Sequence, residues 1–300
     1  MKRIFVLGIA RSGTTWLGDL VCLSKSRMRY LDEPFPKLKK EKLKPFSEKY
    51  PDVPWFSPFD ASDLKIQEYS KLIEDITISD KSFREKFLSD TLKRNDINPE
   101  CLVIKDVHNL GVYDKILEHF PEAKIVVITR DSKRVIDSRI KTFGNSKKKP
   151  YFLPEYNNIK TKFKSNQKTG NSFVDDEISN LPIQVKNYLK KPSFLENRLL
   201  NRYITTEIIK RALEKWALAD SRAIHVTHEN LCEDPILNMQ SIYDHCELEF
   251  DDNVAKEIKG MTEGNDSGFF DTSKNSKKML TKPFVELDSK ILKKIDALNF

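Results

Sequence analysis

GIARSGTT, residues 8–15, decides how the rest of the chain is read. It follows the apolar run RIFVLG and precedes Trp16, Leu17, Leu20 and Val21, which recur at helical spacing, so the local order is strand, glycine loop, helix. Gly8 and Gly13 stand where the phosphate-binding pattern GxxxxGK[ST] has its glycines, but Thr14 stands where that pattern has its lysine. Main-chain amides at the start of the helix, aided by its dipole, still favour an anion. Arg11 adds a permanent positive charge at the inner edge of the loop. The loop keeps a phosphate site and gives up the clamp for a triphosphate.

Outward from the loop, strand-like and helix-like segments alternate. CLVIKD (101–106) reads as a buried strand and is followed by GVYDKILEHF, with Val112, Tyr113, Ile116, Leu117 and Phe120 on one helical face. AKIVVITRD (123–131) is the most strand-like run in the chain, and SKRVIDSRIKTF continues it as a helix. Ile204, Ile208, Ala212, Leu213 and Trp216 form the stripe of a long helix before the last strand, RAIHVTHEN (222–230). This alternation predicts an α/β fold of the P-loop type, three layers deep, with a mostly parallel central sheet flanked by helices. Residues 1–300 are expected to form one domain. Irregular insertions are expected near 32–60 and 144–175, both polar and lysine-rich, and a lid-like C-terminal segment near 261–284.

Composition narrows the partners. The chain has 300 residues, 39% of them hydrophobic, and no apolar run of the roughly 18 residues that a membrane span needs. Its first residues make a poor secretory signal, because about seven apolar residues are followed by Arg11 rather than a small-residue cleavage site. A cytoplasmic protein is expected. Cys22, Cys101, Cys232 and Cys246 show no CxxC pairing, so neither a zinc site nor a disulfide framework is indicated. The net charge of +7 is carried partly by lysine clusters at 37–44, 147–149 and 274–278. Such runs read as solvated faces; they lack the interleaved aromatics of a nucleic-acid surface, and nucleic acid is not an expected partner.

A second phosphate element appears in VVITRDSKRVIDSR, where Arg130 ends a strand and Ser138 lies eight residues on, inside the next helix. At about 1.5 Å per residue the two are no more than roughly 12 Å apart along the helix, near enough for a long arginine and a serine to meet on one phosphate. Asp131 is equally placed to cap the helix or to pair with Arg130. Both phosphate elements stand at carboxyl ends of strands, the edge where open parallel sheets bind ligands. A nucleotide with one 5′-phosphate and a weakly charged distal group suits the first loop, and sulfuryl transfer suits such a nucleotide.

RSGTTWL after an apolar strand resembles the 5′-phosphosulfate-binding loop of the PAPS-dependent sulfotransferases, and Arg11 resembles the arginine of the carbohydrate and tyrosyl-protein branch. The resemblance implies that Arg11, Ser12, Gly13, Thr14 and Thr15, with Trp16 beside them, bind the 5′-phosphosulfate end. It further implies that Arg11 stabilises charge on the bridging oxygen and that Arg130 and Ser138 bind the 3′-phosphate. THENLCEDP (227–235) resembles a structural segment of the same family that follows the last core strand. The implied co-substrate is PAPS and the implied product PAP, with no metal and with a small-molecule or glycan hydroxyl as acceptor.

The acceptor hydroxyl needs a base within hydrogen-bond reach. Glu33, in YLDEPF, resembles the base-bearing glutamate of the carbohydrate and tyrosyl-protein enzymes. His108, in VIKDVHNL, resembles the base histidine of the phenol and steroid enzymes, except that two residues rather than one separate it from Lys105. The arginine-type loop favours Glu33. Lys105 and Asp106 are placed either to position substrate or to pair with each other. The rival readings are a kinase or nucleotidase with a degenerate lysine-less loop, which predicts magnesium-dependent ATP turnover, and a basic nucleic-acid-binding protein, which predicts binding that falls steeply with salt.

Overall fold

The computed structural model describes residues 1–33, 63–78, 92–96, 98–107, 110, 113–143, 168–190, 198–263 and 275–300. Six strands form one sheet: β1 (Lys2–Gly8), β2 (Met28–Asp32), β3 (Leu92–Asn95), β4 (Cys101–Asp106), β5 (Lys124–Thr129) and β6 (Ala223–Thr227), in the order β3-β2-β4-β1-β5-β6. β2, β4, β1, β5 and β6 run parallel, and β3 closes one edge antiparallel to β2. The predicted fold class is the observed one.

Side-chain alternation along the strands builds two cores. Ile4 and Val6 of β1 point to one face, where they pack with Leu17 and Leu20 of the helix Thr14–Val21 and with Met239 and Ile242 of the helix Pro235–His245. Phe5 and Leu7 point to the other, with Val135 and Ile136 of the helix Ser132–Phe143 and with Ile204, Ile208 and Trp216 of the helix Arg198–Ala219. Residues of period two in a strand face opposite layers, so an almost wholly apolar β1 requires cover on both sides. The helices Asp63–Ile78 and Tyr113–Glu118 complete that second layer. β1 has β4 on one side and β5 on the other, and the crevice at its carboxyl end is the switch point of the sheet.

Three local outcomes differ from the sequence expectation. The last strand stops at Thr227 rather than reaching Asn230, because the Thr227 hydroxyl accepts from Asn230 N and turns the chain into the helix His228–Glu233. The helix Ser172–Ser179, capped by Asn171, starts inside the stretch read as irregular. β2 and β3 were not anticipated: Arg29 and Asp32 are both buried in β2, which breaks the apolar-run signal. Residues 34–60, 144–167 and 264–274, with the lysine clusters at 37–44 and 147–149, lie outside the described residues.

Cys22, Cys101, Cys232 and Cys246 are all free thiols. Burial pushes Cys101, Cys232 and Cys246 up to about 12, the range of inert structural cysteines. No helix among the described residues is long and apolar enough to cross a membrane.

Candidate active site

The glycine loop turns on two left-handed residues. Arg11 has φ 77° and Gly13 φ 95°, and Ser12 N bonds back to Ile9 O at 2.9 Å. Gly13 also lies against His228: a Cβ there would meet His228 Cδ2 at 2.7 Å, so both conformation and space demand glycine. At Gly8 a Cβ would meet the carbonyl oxygen of Ile128 at 2.4 Å, which lets β5 approach β1 beside the loop. The helix Thr14–Val21 starts directly at Gly13, with no side-chain cap on its first amides. The amides of Thr14, Thr15 and Trp16 thus form the positive end that an anion would meet.

Orphaned donors surround this cradle. Ser12 Oγ, Trp16 Nε1 and Arg130 Nε are buried with no hydrogen-bond partner among the described residues. An unmade buried hydrogen bond costs about 1–3 kcal/mol, so three such donors in two loops fit an anionic ligand that completes them. Arg130 leaves the end of β5 and donates from Nη1 to Arg11 O at 3.2 Å, tying the second element to the first. Burial lowers the pKa of its guanidinium, and Glu229 acts against that. Asp131 does not pair with Arg130: its Oδ1 accepts from Arg134 N at 2.9 Å and caps the helix Ser132–Phe143. Ser138 lies in that helix, and its Oγ accepts from Arg11 Nε at 3.1 Å. Arg11, Ser12, Gly13, Thr14, Thr15, Trp16, Arg130 and Ser138 are therefore brought to one edge of the sheet.

Glu33 directly follows β2 and has φ 50°, a second left-handed, non-glycine residue beside Arg11. Such a conformation costs about 1–2 kcal/mol for a residue with a Cβ and concentrates at functional sites. Glu33 N donates to Lys105 O at 2.9 Å, and its carboxylate pairs with Lys105 Nζ. Lys105 is 1% exposed and also meets Asp32 Oδ1 at 2.9 Å. Lys105 and Asp106 do not pair: Asp106 accepts from Val107 N at 2.7 Å and from Tyr113 OH at 2.8 Å. Burial lowers the pKa of Arg11, and the Glu33 carboxylate opposes that shift, which places the two charges within each other's field. His108 lies outside the described residues.

His228 was not singled out from the sequence, beyond its place in a segment read as structural. It is the first residue past β6, is buried, and holds its ring 5.8 Å from that of Trp16, at an interplanar angle of 56°. Together the two rings make an aromatic corner beside Gly13. The usable signal was position: like Arg130, His228 follows the carboxyl end of a parallel strand.

The C-terminal segment is fastened to the helix that carries Ser138. Arg134 donates from Nη2 to Leu280 O at 3.1 Å, bonds Lys282 O as well, and lies 4.5 Å from the Phe284 ring centroid. Asp137 Oδ1 accepts from the amides of Val285, Glu286 and Leu287 at 3.0, 2.7 and 3.1 Å. The helix Ser276–Thr281 packs on the helix His228–Glu233, and Lys277 and Lys278 at its start are exposed.

The family model described as the sulfotransferase family matches residues 3–175, more than half of the chain. No curated protein sequence matches. Among solved structures, a mouse sulfotransferase complexed with PAP is 11% identical, with 99% of this chain and 82% of that chain covered and a TM-score of 0.43. A sulfotransferase from Alicyclobacillus acidocaldarius is 14% identical, with 86% and 90% covered and a TM-score of 0.39. A retinol dehydratase in complex with retinol and PAP is 14% identical, with 100% and 81% covered and a TM-score of 0.45. These structural likenesses are distant, and the assignment rests on the family match. The chain belongs to the sulfotransferase family and is an enzyme of sulfuryl transfer.

Proposed function

We propose that this sulfotransferase acts on a sugar hydroxyl, in a glycan or a small glycoside, as a single-domain cytoplasmic enzyme with Glu33 as base and Arg11 as the charge that stabilises the leaving oxygen. The acceptor class is supported by the arginine-type loop and by the Glu33-Pro34 pair, which resemble the carbohydrate branch. Ser12 Oγ and the amides of Thr14, Thr15 and Trp16 hold the 5′-phosphosulfate end. Arg130 and Ser138 take the 3′-phosphate, and the Trp16–His228 corner receives the purine face. PAPS supplies an activated sulfuryl group. Glu33 accepts the hydroxyl proton as the acceptor oxygen bonds to sulfur; the bond from sulfur to the bridging oxygen breaks, and Arg11 balances the charge left on PAP.

The observation that carries this reading is the position of Arg11, hydrogen-bonded to Ser138 on one side and within the field of Glu33 on the other. One guanidinium thus bonds the helix that carries Ser138 and carries the charge that the Glu33 carboxylate acts on. Two measurements test it. PAP is expected to raise the melting temperature more than ATP with magnesium does, since a ligand stabilises by mass action; the reverse order would reject the assignment of this site to PAPS. Radiolabelled sulfate from PAPS is expected to appear on p-nitrophenyl glycosides in preference to simple phenols, steroids and retinol. Transfer to one of the latter alone would reject the sugar acceptor and leave the donor site intact.

A further inference from the structure

Lys105 is a charged side chain only 1% exposed, and it meets two carboxylates, Asp32 at the end of β2 and Glu33 just past it. We infer that Lys105 is the positioning residue of the proposed base: it fixes Glu33 Oε1 and favours the ionised carboxylate that a proton acceptor requires. The inference rests on the reading of Glu33 as base.

A buried ammonium left without a counter-ion is strongly destabilising, so a lysine paired with Glu33 alone would oppose protonation of Glu33 and then be stranded by it. Asp32 removes that difficulty. Its Oδ1 lies 2.9 Å from Lys105 Nζ, a second counter-ion for the ammonium when Glu33 takes up the acceptor proton. Two carboxylates to one buried lysine is the arrangement that lets one of them change charge while the other stays ionised.

The surrounding charges fit this division. Glu33 pairs with Lys105 from β4, which also meets Asp32 at the end of β2, and the Glu33 charge acts on Arg11 of the glycine loop. Lys93 of β3 meets Asp32 Oδ2 and Asp19 Oδ1, each at 3.4 Å, and the buried Tyr30 phenol lies in the field of Asp19, Asp32 and Glu33. Signs alternate along Asp19, Lys93, Asp32, Lys105, Glu33 and Arg11. Asp32 therefore has a second cation, Lys93, that supports its staying ionised.

The test reads Glu33 directly. In protein labelled with carbon-13 at the glutamate side-chain carboxyls, the Glu33 signal is identified by its absence in Glu33→Gln, and its pH titration is followed by NMR. Lys105→Met is expected to raise the proton affinity of Glu33 about tenfold or more, and Asp32→Asn to lower it, since removing an opposite or a like charge acts in opposite senses. If Lys105→Met does not fold, Asp32→Asn decides alone. Unshifted titrations in the variants that fold would overturn the role of Lys105 while leaving Glu33 as base wherever Glu33→Gln abolishes sulfuryl transfer from PAPS to a p-nitrophenyl glycoside. Transfer by Glu33→Gln at the native rate would overturn both.

Discussion

Arg11 Nε donates to Ser138 Oγ at 3.1 Å, joining two segments 127 residues apart in the chain. The glycine loop and the helix Ser132–Phe143 are thus connected by the side chain proposed to act on the leaving oxygen.

Arg11→Ala is expected to lower kcat by about 10²–10³, the effect typical of losing one donor at a developing negative charge. The Kd for PAP should change less than tenfold, because Arg130, Ser138 and the loop amides remain. Steady-state kinetics with isothermal titration of PAP checks this. A loss confined to PAP affinity would remove the catalytic role.

Ser138→Ala should weaken PAP by roughly tenfold to a hundredfold, a hydrogen bond to a charged group being worth about 1.5–3 kcal/mol. Binding of adenosine 5′-phosphosulfate, which has no 3′-phosphate, should hardly change. Equal weakening of both nucleotides would place Ser138 elsewhere in the site.

Gly13→Ala combines a strained φ of 95° with a Cβ placed 2.7 Å from His228 Cδ2. The variant should lose about 1–2 kcal/mol or more of stability and also the thermal shift produced by PAP. Differential scanning fluorimetry with and without PAP reads both. A full PAP shift in this variant would show that the loop does not bind the nucleotide.

Asp137→Ala leaves the amides of Val285, Glu286 and Leu287 without their shared acceptor. A loss of about 1–3 kcal/mol in urea unfolding is expected, together with faster proteolysis near residue 285. Unchanged proteolysis there would mean that Arg134 holds the segment by itself.

Asp114 carries a buried Oδ1 with no hydrogen-bond partner among the described residues, and burial raises its pKa above the ordinary carboxylate value. A group whose folded pKa is raised contributes stability that is complete below its unfolded value, about 3.9, and is lost as pH rises through the folded value. At pH 7 the ionised carboxylate is a net cost to the fold. Asp114→Asn should therefore raise the melting temperature at pH 7 and reduce the gain that the native protein shows as pH falls from 7 toward the unfolded carboxylate value. A lower melting temperature at pH 7 would contradict it.

The glycine loop, the strands β1, β4 and β5 and the Arg130–Ser138 element were all legible in the chain. Each is marked by something local: a run of apolar residues long enough for a two-faced strand, glycines where φ must be positive, an arginine and a serine at fixed helical spacing. β2 was not legible, because MRYLD buries an arginine and an aspartate among its five residues. His228 escaped notice because its place beside Gly13 is made by residues 215 positions apart.

By itself the sequence determined that a glycine turn would leave free amides at the start of the first helix, since glycine conformations and helix-end amides are properties of a few consecutive residues. Only the tertiary structure decided how the charges around it are paired. The parallel register of β2 with β4 sets Asp32 opposite Lys105, and the left-handed turn at Glu33 brings a second carboxylate to the same ammonium. Asp106, next to Lys105 in the chain, was taken instead by Tyr113. Successive residues of a strand point to opposite faces of a sheet, so Lys105 had to find its partners across the strands rather than along its own.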